Sequence, residues 1–271
     1  MTSLAPLFWY GLALKIAMTV SIVVAASIIV ERSGPFIGAM IASLPTAGGA
    51  AMIILAMEHT PEFISQSAIG NLIANAAVAL LALTYATQAQ NRSLPASLFL
   101  AFAVWLGAVL MASAVQWNAF SATLLNVLVY PLTIYLGRNY RSAGAVRRVE
   151  LSASDLAWRA AVVTTVVLTV TIASHSIGSY LSGAFAFFPV AMGSFFIILH
   201  SRLGGPAAAS VAAHVQAPLI GLGLGMLAVH LLAVPLGVWW SYLIALAICF
   251  GWNAMLWLLR QQSASRRDEI A

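Results

Sequence analysis

Charge is what this sequence has least of: Asp, Glu, Lys and Arg together make up 7% of its 271 residues. A soluble domain carries roughly a quarter of its residues as charge, so a soluble enzyme, a nucleic-acid binder and a disordered tail are all excluded. Cysteine is nearly absent as well. The one thiol, Cys249, lies in an apolar run and leaves no material for a disulfide framework or a cysteine metal cluster within the chain. No carboxylate lies well inside an apolar run, which removes the acidic proton or sodium relays of many pumps and any intramembrane aspartyl chemistry. There is no G-x-S-x-G, H-E-x-x-H, P-loop or C-x-x-C. The expectation is a protein that is not an enzyme and needs no cofactor.

What the sequence has in excess is apolar surface, 62% of residues with a mean hydropathy of +0.97. Stretches of roughly 17 to 25 apolar residues are long enough to cross a bilayer as helices. About nine occur, near 9–30, 36–57, 64–88, 94–114, 118–137, 157–174, 179–200, 207–231 and 236–259. Interfacial aromatics such as Trp9, Trp117, Tyr140, Trp158 and Trp239 sit at their ends. Arginines follow the odd-numbered spans, at Arg32, Arg92, the group from Arg138 to Arg148, Arg202, and Arg260 to Arg267. The loops after the even-numbered spans hold no Lys or Arg, and the first of them carries Glu58 and Glu62. Because basic residues are retained on the cytoplasmic side during insertion, the N-terminus is expected outside and the C-terminus inside an inner membrane. The formal charge of +5 then reflects cytoplasmic loops facing anionic lipid, with no nucleic acid implied.

The chain also resembles itself. At an offset of 144, Gly34 to Pro45 falls on Gly178 to Pro189 without a gap, and the match continues through Gly49 and Gly193. The same offset sets Lys15 on Arg159, and a one-residue shift sets Asn71 on His214. Spans one to four (1–115) and six to nine (157–271) thus read as two four-helix units, joined by span five and a basic loop (116–156). One linking helix starts the second unit from the opposite side of the membrane, so the expected fold is all-α with an inverted 4+1+4 repeat. Within the first unit, the run Ala26-Ser-Ile-Ile-Val-Glu31-Arg-Ser-Gly-Pro-Phe-Ile-Gly-Ala-Met-Ile-Ala-Ser-Leu-Pro45 resembles small four-span bacterial membrane proteins of unknown function. Those carry a Gly-Ala-x-Ile-Ala-Ser-Leu-Pro stretch in the second span. The resemblance implies a fused duplication of such units and supplies no substrate. The second unit departs from it, with His175 at the Glu31 position and Phe187-Phe188 replacing Ser43-Leu44.

Inverted repeats are a recurrent transporter plan, with the solute site at the repeat interface near midplane. Pro45 and Pro189 fall mid-span, where each should break or kink its helix and leave the carbonyls of Ile41 and Phe185 without a partner. Thr46, Gly48 and Gly49 flank the first break; Gly193 and Ser194 flank the second. Asn71 with Asn75, and His214 with Gln216, form polar stripes in spans three and eight; His214 is the one that would titrate near neutral pH. Lys15 and Arg159 mark a charged mouth for each unit. The expectation is a secondary transporter or facilitator of a small solute, an anion if charged, whose partners are the bilayer, that solute and, in a homo-oligomer, a further copy of the chain. The alternatives are a non-transporting assembly subunit and a lipid-acting membrane enzyme, the latter without a visible nucleophile or metal constellation.

Overall fold

A computed structural model describes residues 46–141 and 152–268, with a few positions between 16 and 25. Span one, the first half of span two and the 142–151 part of the basic loop lie outside the described residues, as do Lys15 and Pro45. All regular structure among the described residues is helical: α1 Thr46–Glu58, α2 Pro61–Gln88, α3 Leu94–Ser113, α4 Ala119–Leu136, α5 Ala153–Ala186, α6 Val190–Leu203, α7 Gly205–His214, α8 Gln216–Leu232 and α9 Val238–Asp268. In hydrocarbon every backbone N–H and C=O must be satisfied within its own segment, which is why so apolar a chain resolves into helices. Among the described residues, six segments are long and apolar enough to cross a membrane: α2, α3, α4 with its 3₁₀ extension to Tyr140, α5, α7 with α8 as one Gly205–Leu232 rod, and the Val238–Gln262 part of α9. The protein is a multi-pass membrane protein.

Burial sorts these helices. In α2, 83% of the apolar window is buried inside the protein, against 17–22% in α3, α4 and α9. α2 is therefore the core and the other three face lipid, where Phe99, Met111, Phe120, Leu128 and Trp240 stand exposed. Around α2 the packing is close because small residues let backbones touch. A Cβ on Gly70 would lie 2.0 Å from the Tyr180 carbonyl oxygen, and one on Gly183 would lie 1.9 Å from that of Ser67. The Gly221-x-Gly223-x-Gly225 run in α8 is likewise a packing surface. A Cβ on Gly221 would meet Trp252 at 2.7 Å, and one on Gly225 would meet the Ala245 carbonyl at 3.1 Å.

α2 and the α7–α8 rod lie antiparallel along their whole length. Near the start of α2, the Ser65 hydroxyl donates to the His230 carbonyl at 2.8 Å. In the middle, the Asn75 amide donates to the Leu219 carbonyl at 3.1 Å. At the far end, Gly205 presses on the Ala89 carbonyl. Advancing along one helix means retreating along the other.

Helix boundaries recur at the offset seen in the sequence. α2 and α3 start at Pro61 and Leu94, and helices start again 144 residues later at Gly205 and Val238. Pro61–Gln88 and Gly205–Leu232 each hold 28 residues. The one-residue shift expected between Asn71 and His214 is therefore not needed at the helix ends. Unshifted, Asn71 corresponds to Val215, the turn residue between α7 and α8. The two sets of helices are started by different chemistry: the Thr60 hydroxyl accepts from Phe63 N at 3.4 Å before α2, whereas Gly204 and Gly237, at φ of 87° and 84°, turn the chain into α7 and α9.

The charges divide between the two ends. Arg202 of α6 pairs with Asp155 of α5, and Ser210 donates to the Arg141 carbonyl at 2.7 Å. Arg92, Arg138 and Arg260 belong to the same end. At the other end His175 lies 3.8 Å from Glu58, and His59 is hydrogen-bonded to Ser174 at 2.8 Å.

Candidate functional site

Expected span seven is not one kinked helix. α5 runs from Ala153 to Ala186 with a single non-helical residue, Gly178 at φ 77° and ψ 171°, a backbone conformation open to glycine because it lacks a Cβ. The short arm after Gly178 ends at Ala186, the chain breaks at Phe187–Pro189, and α6 starts afresh at Val190. Span seven is thus two half-helices, and the loop expected between spans six and seven is reduced to a single bent residue. The carbonyl of Phe185, expected to be left open by Pro189, is taken by the Phe188 N–H at 2.9 Å. The break closes on itself locally because a tight turn brings the next free N–H to the orphaned acceptor. The part of span two that would correspond, Pro45 included, lies outside the described residues.

α1 meets the break: a Cβ on Gly48 would lie 3.1 Å from the Phe187 ring. α3 covers the break from its other side: Trp105 stands edge-on to Phe188 with centroids 5.1 Å apart and to Phe185 at 5.9 Å. A Cβ on Gly193 would strike Phe102 at 2.7 Å. Gly49 is half-buried and Ser194 fully so. Thr46 is described in its backbone alone. Of the residues expected here, Gly48, Pro189, Gly193 and Ser194 gather about the break.

The polar stripes divide. Asn71 is buried against α1 and donates to the Met52 sulfur at 3.2 Å, while its carbonyl oxygen has no hydrogen-bond partner. His214 is held to its own helix, Nδ1 at 2.8 Å from the Ser210 carbonyl, and lies towards the arginine end near Arg141 and Arg260. Gln216 is wholly buried with neither amide atom bonded, its nitrogen facing Gly137. Asn71 and His214 are therefore not partners. On the antiparallel ladder they sit at different depths.

Asn75 belongs to a knot that sequence reasoning saw only in part. It donates to Asn126 Oδ1 and to the Leu219 carbonyl, both at 3.1 Å. Asn126 of α4 donates to the carbonyls of Leu72 at 2.9 Å and Ala122 at 2.8 Å, and the Tyr130 hydroxyl donates to the Asn75 carbonyl at 3.1 Å. Asn126 and Tyr130 stand four apart on one face of α4, a spacing readable in the sequence of span five. Beside the knot an apolar groove of about 240 Å³ opens between α4 and α8, lined by Leu72, Pro131, Ile220 and Leu227 among others.

Arg159 is 4% exposed, with its guanidinium carbon 4.2 Å from the centroid of the Phe195 ring of α6. Among the described residues no group of His, Cys, Asp and Glu is arranged to hold a metal ion. Compared with protein-family models, curated proteins and solved structures, the chain has no significant match.

Proposed function

We propose that this chain is an inner-membrane secondary transporter or facilitator of a small solute, built as a fused inverted duplication of four-span units with nine spans, its N-terminus outside and its C-terminus inside. The observation that carries the reading is the break at Phe187–Pro189 lying against α1 at Gly48. Discontinuous helices meeting at a repeat interface are the usual way in which membrane transporters present backbone groups and helix ends to a solute. Continuous helices would serve a purely structural subunit as well.

The antiparallel crossing supports the inverted plan. Asn75 bonds Leu219, its own counterpart 144 residues on, and the ladder runs symmetrically outward from that pair. A two-fold axis in the membrane plane brings equivalent residues of two antiparallel helices together in this way. An axis along the membrane normal would instead leave equivalent helices parallel.

The basic surplus and the lack of buried carboxylates favour an anion as solute. The test is uptake into proteoliposomes holding the purified full-length chain, with radiolabelled acetate, pyruvate, phosphate and sulfate as probes. Saturable uptake of at least one, lost in Asn71→Leu or His214→Phe at unchanged melting temperature, is the expected result. Variants that lose stability but not flux would instead mark those side chains as packing groups, and an absence of flux for every probe would favour the assembly-subunit reading.

A further inference from the structure

Arg159 is the one strongly buried cation among the described side chains, and its surroundings leave it incomplete. The guanidinium Nε and Nη1 have no hydrogen-bond partner. The nearest acid on its own helix is Asp155, one turn back, whose carboxylate is already engaged with Arg202 and with the backbone N–H of Ser152. One face of the guanidinium lies on the Phe195 ring. That contact fixes the plane of the group and leaves Nε and Nη1 buried without a bond, and in-plane donors are what bind carboxylate and phosphate oxygens. Asp155 attracts the guanidinium electrostatically without bonding those two nitrogens; buried cationic donors left unbonded are unfavourable, and an anion supplied from outside the chain would engage them.

The position suits such a ligand. Arg202 and Asp155 join α6 to α5 at the arginine end, and Arg159 lies one helical turn, roughly 6 Å, further in. α6 begins at the break that the proposed solute site uses, so Arg159 and Phe195 lie between that break and the arginine-rich face. We propose that Arg159 is an anion-binding residue on the inner approach to the site, taking a carboxylate or phosphate group on its free Nε and Nη1 donors. This rests on the transport reading for the place of the site but not for the binding itself.

The experiment is a thermal-shift and calorimetric titration of the delipidated full-length protein in detergent, with acetate, inorganic phosphate and short-chain phosphatidylglycerol as probes and chloride at matched ionic strength as reference. The wild type should be stabilised saturably by at least one probe. Arg159→Gln should lose that response, and Arg159→Lys, which keeps the charge but not the planar donor set, should weaken it by roughly tenfold or more. Arg138→Gln, at an exposed arginine over Tyr135, should respond as the wild type does. Response to acetate or phosphate identifies a free anion. Arg159-dependent response to phosphatidylglycerol alone identifies a lipid headgroup, which keeps the binding role and overturns its place on a solute path. No saturable response in the wild type, or one that survives in Arg159→Gln, overturns the proposal; if Arg159→Gln does not fold, an undiminished response in Arg159→Lys overturns it instead. Anion binding without flux of any bound anion would instead count against transport and leave the binding residue standing.

Discussion

Asn75 shows how a single polar side chain in a membrane core divides between holding and acting. Its amide ties α2 to α4 and α8 at once. Interhelical hydrogen bonds in membrane proteins contribute on the order of 1 kcal/mol each, so Asn75→Leu should destabilise the protein by about 1–2 kcal/mol. Tyr130→Phe, which removes one bond, should cost about half as much. Denaturation in mixed micelles measures both, and an Asn75→Leu variant as stable as the wild type would show the knot to be incidental. At the acidic end, His59 lies outside the spans, stacked on Phe63 and facing Glu58, Ser174 and His175. Burial holds its imidazole below the ordinary value of 6.5, the charge of His175 adds to this, and Glu58 opposes it. The folded chain thus resists a proton that the unfolded chain accepts. The stability of the neutral form is complete above 6.5 and falls as pH drops from 6.5 towards the lower folded value. Melting temperatures between pH 7.5 and 5.5 should therefore fall less steeply for His59→Gln than for the wild type, and parallel slopes would contradict this.

At the scale of elements, the sequence was most legible where hydrocarbon forces the answer. Spans three, four, five, eight and nine were placed within a few residues, because length and apolar composition alone decide a continuous crossing. Span seven was not. Its apolar run hides two interruptions, and only backbone conformation distinguishes Gly178 as a bend and Phe187–Pro189 as a break rather than a kink. The Phe185 carbonyl was misjudged for the same reason, since a local turn satisfied it. Close packing was equally silent, because an alanine-rich helix offers many small residues and only the fold selects which ones touch. Gly70 and Gly183 are those where α2 meets the end of α5. Gly183→Ala would put a methyl 1.9 Å from the Ser67 carbonyl oxygen, whereas nothing lies within 4 Å of one added at Gly107. Overpacking of this kind costs typically about 1–3 kcal/mol. Gly183→Ala and Gly70→Ala should each lower stability by that much or more, and Gly107→Ala should leave it unchanged. Equal behaviour of the three in a detergent melt would refute the contact.

For the whole molecule, the arginine end also holds Asp155, paired with Arg202, while Glu58 lies with His175 at the other end. The 144-residue offset reappears in helix starts that no sequence match was needed to find. What the sequence left unread is which polar residues share a depth. Asn71 and His214 are matched polar positions of spans three and eight in the sequence, and the antiparallel ladder sets them at different depths. The central claim, that the break at Phe187–Pro189 and α1 border a site reached by solute from both sides of the membrane, is tested most directly at Ser194, buried just past the break. In a Cys249→Ala background, a Ser194→Cys variant should react with a membrane-impermeant thiol reagent both in right-side-out and in inverted vesicles, as the site opens in turn to each face. A cysteine there that resists the reagent from both sides until the protein is denatured would contradict the account.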